Sequence, residues 1–245
     1  MSRTARQKSK SGISHIMIQG INRQDIFEDE EDKEKFIQTV ATYKQKSNIK
    51  VYGYCLMSNH IHLLIKDEDL AITMRKIGAS YVYWYNWEYK RSGHLYQDRF
   101  RSEVVEDDRY FLTVLRYIHQ NPLKARIVKD IKSYQWSSYG DYGGDKKIVD
   151  TDFALGMISK EQFIRYSHEE NQDECLEYTE NNRLNDDEAR EIIKSIANVE
   201  NVDKIQGFEK SRRDEIIRML KAIDGISIRQ IARITGISFN IVKTR

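Results

Sequence analysis

Two alternating runs, Val51–Met57 and His60–Lys66, are separated only by Ser58-Asn59. A two-residue link cannot carry a crossover, so the runs must pair antiparallel as a hairpin. Alternation puts His60, His62 and Leu64 on one face of the second strand and Ile61, Leu63 and Ile65 on the other. The apolar trio requires a core. The opposite face then carries two imidazoles about 6–7 Å apart at Cα, close enough to share one metal ion. Taken alone, the pair also reads as two partly exposed strand histidines.

The rest of the first half supplies the hairpin's neighbours. His15-Ile16-Met17-Ile18-Gln19-Gly20 reads as a first strand, and Gly20-Ile21-Asn22-Arg23 as a loop able to approach another backbone closely. Acidic Glu28–Asp32 opens a helix to about Lys46, with Phe36, Val40 and Tyr43 at helical spacing. A second helix spans about Leu70–Tyr89, with Leu70, Met74, Ile77, Tyr81 and Trp84 on its stripe. Its end holds Tyr81, Tyr83, Trp84, Tyr85, Trp87 and Tyr89, more aromatics than one buried face needs. The surplus suggests a partner surface or platforms for stacked bases. Phe100–Val105 reads as a fourth strand, and Asp107-Asp108 as the cap of a helix that Pro122 stops after Asn121. The order β-α-β-β-α-β predicts an α+β fold with a ferredoxin-like antiparallel sheet.

Charge divides the chain. Residues 1–142 hold 23 Lys/Arg against 18 Asp/Glu, residues 143–203 hold 7 against 16, and residues 204–245 hold 10 against 4. The reading is a folded domain over 1–142, opened by a flexible basic arm over Met1–Lys10, then an acidic helical connector over 143–203 and a basic helical region over 204–245. Helices are expected at Ser159–His168, Asp186–Ala197 and Glu209–Ile223. No run of 18 apolar residues occurs and Met1–Ser11 lacks an apolar centre, so neither a membrane span nor a secretory signal is expected. With Cys55 and Cys175 as the two cysteines, a reduced cytoplasmic compartment is the expected home.

On the Asp107–Asn121 helix, Phe111, Val114, Leu115 and Ile118 form the buried stripe. Tyr117 and Asn121, at i and i+4, share one edge of it, near the sheet without being sealed in the core. A boundary tyrosine with a wet hydroxyl would look the same. Three stretches then add up: His60-Ile61-His62, Gly93-His94-Leu95-Tyr96-Gln97-Asp98-Arg99-Phe100-Arg101 and Tyr117-Ile118-His119-Gln120-Asn121-Pro122. In this order they resemble the single-tyrosine HUH transposases, most closely the REP-associated tyrosine transposases. Gly20-Ile21-Asn22-Arg23 and Trp136-Ser137-Ser138-Tyr139 resemble the start and end of that domain.

The resemblance implies a metal-dependent single-strand DNA endonuclease and strand transferase, selective for sequence or hairpin. It implies His60, His62 and Asn121 as ligands of Mg²⁺ or Mn²⁺ and Tyr117 as nucleophile. Imidazole suits Mn²⁺ better, while abundance favours Mg²⁺ in the cell. Attack would leave a 5′-phosphotyrosine and a free 3′-hydroxyl, and one tyrosine per chain makes a homodimer a natural partner state. Arg23, Arg99 and Arg101 are candidate DNA contacts.

The tail, Asp224 to Lys243, resembles a helix-turn-helix, with Ser227 and Ser238 as caps, Gly236 as the turn, and Arg229, Arg233 and Lys243 as candidate DNA contacts. A small packing module is the competing reading. Two further alternatives for the whole chain are a non-catalytic DNA-binding regulator of the same descent and an RNA-binding ferredoxin-like module. The latter would need Tyr52 and Tyr54 displayed on the sheet.

Overall fold

The computed structural model describes residues 9–144, 148–176, 184, 186–223 and 225–245. Residues 1–8 of the basic arm, and Asp224 at the start of the tail motif, lie outside them. Two compact units occur, residues 1–177 and 178–245.

The first unit is built on β1 (Ile13–Gln19), α1 (Glu30–Ser47), β2 (Lys50–Leu56), β3 (His60–Lys66), α2 (Leu70–Glu88), β4 (Arg101–Val104) and α3 (Asp108–Lys124). The strands form one antiparallel sheet in the order β2-β3-β1-β4, the split-βαβ arrangement that the element order predicts. Ser58-Asn59 closes the β2–β3 hairpin, with Leu56 opposite Ile61 and Cys55 opposite His62. Asp29 caps α1 in a reciprocal box with Asp32, fixing the first turn of that helix.

Pairing partners share a face, so the sheet has two unlike sides. On one, Ile16, Ile18, Ile61, Leu63 and Ile65 are all buried. The helices α1 and α2 pack together to cover this side, through Phe36 and Tyr81 among others. The other side carries His15, Met17, His62 and Leu64, and α3 covers it. Gly53 on β2 permits this approach: a Cβ there would lie 2.6 Å from Leu115 Cδ1. Both faces are thus dry along most of their length: His15 and His62 are core residues, whereas His60, at the start of β3, is half-buried.

Three expectations are corrected. Pro122 does not end α3, which runs on to Lys124 because Ala125 N–H still reaches Asn121 O; the positive φ of Arg126 (58°) marks the end. The acidic stretch 143–203 is not a separate connector. Its first part carries α5 (Asp152–Leu155) and α6 (Lys160–His168), after a short α4 (Tyr139–Gly143), and buries Ala154 and Phe163 in the core of the first unit. Its later part, α7 (Asp186–Ala197), buries Ala189, Ile193 and Ala197 in the core of the second. Tyr52 and Tyr54, 5% and 1% exposed, display no ring for a stacked RNA base.

The second unit continues with α8 (Lys210–Lys221), α9 (Ile228–Thr235) and α10 (Phe239–Thr244). Ser227 caps α9 by accepting from Gln230 N–H, and Gly236 turns the chain with φ 68°. Ser238 sits at the start of α10 without a side-chain capping bond. Arg229 and Lys243 are exposed, whereas Arg233 is paired with Asp186 at 2.6 Å. Among the described residues, no helix is long and apolar enough to cross a membrane.

Candidate active site

The histidine face gathers most of the predicted site. His60 and His62 stand with ring centroids 5.2 Å apart, and the ring of Tyr117 lies 5.8 Å from that of His62. Asn121 is one turn on, and its Nδ2 donates to Tyr117 O at 3.0 Å, leaving the amide oxygen as the atom suited to a cation. Sequence reasoning passed over a third histidine here. His15 Nε2 lies 3.0 Å from His62 Nδ1, and its ring is 5.9 Å from Tyr117. The alternation of His15, Met17 and Gln19 against Ile16 and Ile18 was the signal that could have found it.

Burial sets the electrostatics. It lowers the pKa of His62 well below the ordinary histidine value, and the charges of His15 and His60 would act the same way. His15 is lowered by burial too, against an opposing pull from Glu103. Both rings are therefore neutral at pH 7, the form that ligates metals. Nε2 of His62 is buried without a hydrogen-bond partner. The same is true of Nδ1 of His119, but that atom is walled in by the rings of Tyr139, Tyr142 and Phe163. His62 instead faces His60 and Tyr117. His119 is structural: its Nε2 meets Ser138 Oγ at 2.8 Å, pinning α3 to the Trp136–Tyr139 segment, and burial pushes its pKa down to about 3.

The flanking loops converge on the His60 end of the sheet. Asn59 O accepts from Gly20 N–H, and Asn59 Nδ2 donates to Arg23 O. Gly20 is required there, since a Cβ would overlap the Gln24 carbonyl oxygen. Ile21 N–H donates to Leu95 O, and Gln97 N–H to Gln19 O, which brings in the loop before β4. Arg23 and Arg99 are exposed and Arg101 is half-buried, with Arg101 in the cross-strand row of Met17 and His62.

Tyr117 itself departs from expectation. It is 1% exposed, sealed in the core and not at its wet edge. Lys124 lies over its ring at 4.4 Å and donates to Asp173 O at 3.3 Å. The chain after α6 returns along α3, gripping the polar row Arg116, Gln120 and Lys124. Arg116 makes a two-pronged contact with Asp173 at 2.8 and 3.0 Å, and Gln120 donates to Ser167 O and Glu169 O. This strap ends at β4, where Leu176 N–H donates to Glu103.

Residues 8–121 match the family model described as transposase IS200-like. That stretch of the chain is therefore similar to the IS200-like transposases. Over 116 residues it is 27% identical to a protein of Haemophilus influenzae described as a REP-associated tyrosine transposase, covering 40% of this chain. The chain spans 65% of that relative's length. A solved structure of a REP-associated tyrosine transposase bound to a REP hairpin superposes with a TM-score of 0.53 at 15% identity, over 73% of this chain and 96% of that one. At that identity the likeness is one of fold. The family match stops within the helix that holds Tyr117 and Asn121, and the strap lies beyond that match.

Among the described residues, no cluster of three or more His, Cys, Asp or Glu is placed to hold a metal. The donor set expected from the sequence, His60, His62 and Asn121, is instead two imidazoles and an amide. It fits a divalent ion on one specific ground, the buried, unpartnered Nε2 of His62.

Proposed function

We propose that this chain cuts and rejoins single-stranded DNA carrying a hairpin, with Tyr117 as nucleophile and a divalent ion, Mg²⁺ or Mn²⁺, held by His60, His62 and Asn121. The observation that carries the reading is the orphaned Nε2 of His62 beside Tyr117 on a dry sheet face. A bound divalent ion would supply positive charge to polarise the scissile phosphate and open positions for its oxygens.

The chain's own groups do the rest. Tyr117 Oη forms a bond to phosphorus and gives up its proton. The bond from phosphorus to the 3′ oxygen breaks, and that oxygen leaves as a 3′-hydroxyl. The ammonium of Lys124, 4.4 Å from the ring centroid, favours the negative charge that develops on the phenol. Arg23, Arg99 and Arg101, near the His60 end, are suited to the phosphates that flank the cut. Arg229, Arg233 and Lys243 of the second unit would add phosphate contacts. Replacing exposed Arg229 and Lys243 together by Gln should weaken DNA binding and flatten its salt dependence. Unchanged affinity and slope would make that unit a packing module.

The deciding experiment uses single-stranded hairpin DNA from the flanks of the gene, with Mn²⁺ and with EDTA. Wild type should yield a protein–DNA adduct that survives denaturation and maps to the peptide containing Tyr117. Tyr117→Phe should yield none while binding the same DNA. An adduct on another tyrosine, or cleavage undiminished in Tyr117→Phe or in EDTA, sinks the assignment.

A further inference from the structure

We propose that Glu103 and His15 form a proton-ordering relay that fixes Nε2 of His62 as the nitrogen offered to the divalent ion; this rests on the metal reading above. Glu103 on β4 and His15 on β1 are cross-strand partners. Glu103 Oε2 faces His15 Nδ1 at 3.8 Å, too far for a full hydrogen bond but close enough to order a proton. A carboxylate only accepts, and a lone pair on Nδ1 would point at its negative charge, so Nδ1 of His15 carries the proton.

A neutral imidazole has one N–H, so Nε2 of His15 must accept. Its neighbour, 3.0 Å away, is Nδ1 of His62, which therefore donates. The lone pair of His62 is left on Nε2, the buried atom without a partner. His60 reaches the same state by a shorter route. Its Nδ1 lies 2.7 Å from Asn59 Oδ1, an acceptor, so its lone pair is also on Nε2. Two independent acceptors, a carboxylate acting through a ring and an amide acting directly, order both histidines alike.

His15 and Glu103 are thus positioning residues, acting on the ion only through His62. Outer partners that orient a ligating histidine typically contribute about 10- to 100-fold in metal affinity. The strap also touches this relay, since Leu176 N–H holds Glu103 Oε2 at 3.1 Å.

The test uses the full chain labelled with [¹⁵N]histidine. Long-range ¹H–¹⁵N spectra of the metal-free protein report which nitrogen of His62 is protonated, and Mn²⁺ titration followed by electron paramagnetic resonance reports affinity. Wild type should show His62 protonated on Nδ1. His15→Phe removes the acceptor, so His62 should become a mixture of tautomers and Mn²⁺ should bind about 10- to 100-fold more weakly. His15→Gln, whose amide oxygen can accept from Nδ1–H, should restore the tautomer and most of the affinity. Should His15→Phe fail to fold, Glu103→Ala on the half-exposed edge should still erode the Nδ1–H preference of His62. Mn²⁺ binding by a wild type whose His62 is protonated on Nε2 overturns the relay alone. So does His15→Phe with wild-type affinity. A wild type that binds no Mn²⁺ overturns the metal reading beneath it.

Discussion

The two faces of the sheet are both buried, and for different reasons. On the face of Ile61, Leu63 and Ile65, hydrocarbon meets hydrocarbon, and each such side chain stabilises the fold by about 1.5–3 kcal/mol. On the face of His15 and His62, two imidazoles are dry, and neither Nε2 of His62 nor Nδ1 of His15 has a hydrogen-bond partner. A buried polar atom left unsatisfied costs about 1–3 kcal/mol, so the second face gives up stability that the first supplies. Under the function proposed above, the task that sets such groups there is chemistry on DNA.

The contrast breaks most sharply in a double variant. His15→Leu with His62→Leu should abolish divalent-ion-dependent cleavage while leaving the urea midpoint unchanged or raised, since both members of the buried pair become apolar together. His62→Leu alone should be less stable by about 1–3 kcal/mol, because Nε2 of His15 is left without its donor. A double variant far less stable than wild type would mean that the polar face also holds the fold together.

On the apolar face the reverse holds. Leu63→Ala should lose about 2–5 kcal/mol in urea melts, yet give the same adduct yield per folded molecule. A smaller effect is expected where the polar face is covered. Asp173→Ala leaves Arg116, 9% exposed, with Glu169 and the ring of Tyr166, and should cost about 1–3 kcal/mol, read as faster amide exchange confined to α3 and the strap. The smallest effect belongs to the outer side of α2. Tyr83 and Trp87, 79% and 72% exposed, should each tolerate Ser within about 0.5 kcal/mol. A larger loss would show that the solvent-facing aromatics are packed against something.

Period-two alternation made the hairpin legible, and with it the face on which His60 and His62 lie. Turn length then dictated antiparallel pairing, and strand–helix order the sheet. Local patterns could not reveal what packs over that face. Alternation in β1 marks the face of His15, but it becomes a neighbour of His62 only through the register of two strands, 47 positions apart in sequence. Phe163 was hidden in acidic surroundings that read as solvated connector, though one buried ring outweighs several exposed carboxylates in deciding where a segment docks. The burial of Tyr117 follows from Lys124 and Asp173, 49 positions apart, which no helical wheel brings together.

That closure has a kinetic consequence. A phenol 1% exposed meets a phosphodiester only in an opened molecule, in which the strap has lifted from Arg116, Gln120 and Lys124. The observed rate is then the intrinsic rate of attack multiplied by the fraction of molecules open. Each 1.4 kcal/mol removed from the closure raises that fraction about tenfold until opening is no longer limiting. Loosening the strap should therefore make this protein a faster reagent toward DNA as it becomes a less stable fold. A trace of urea, below the unfolding transition, should do the same.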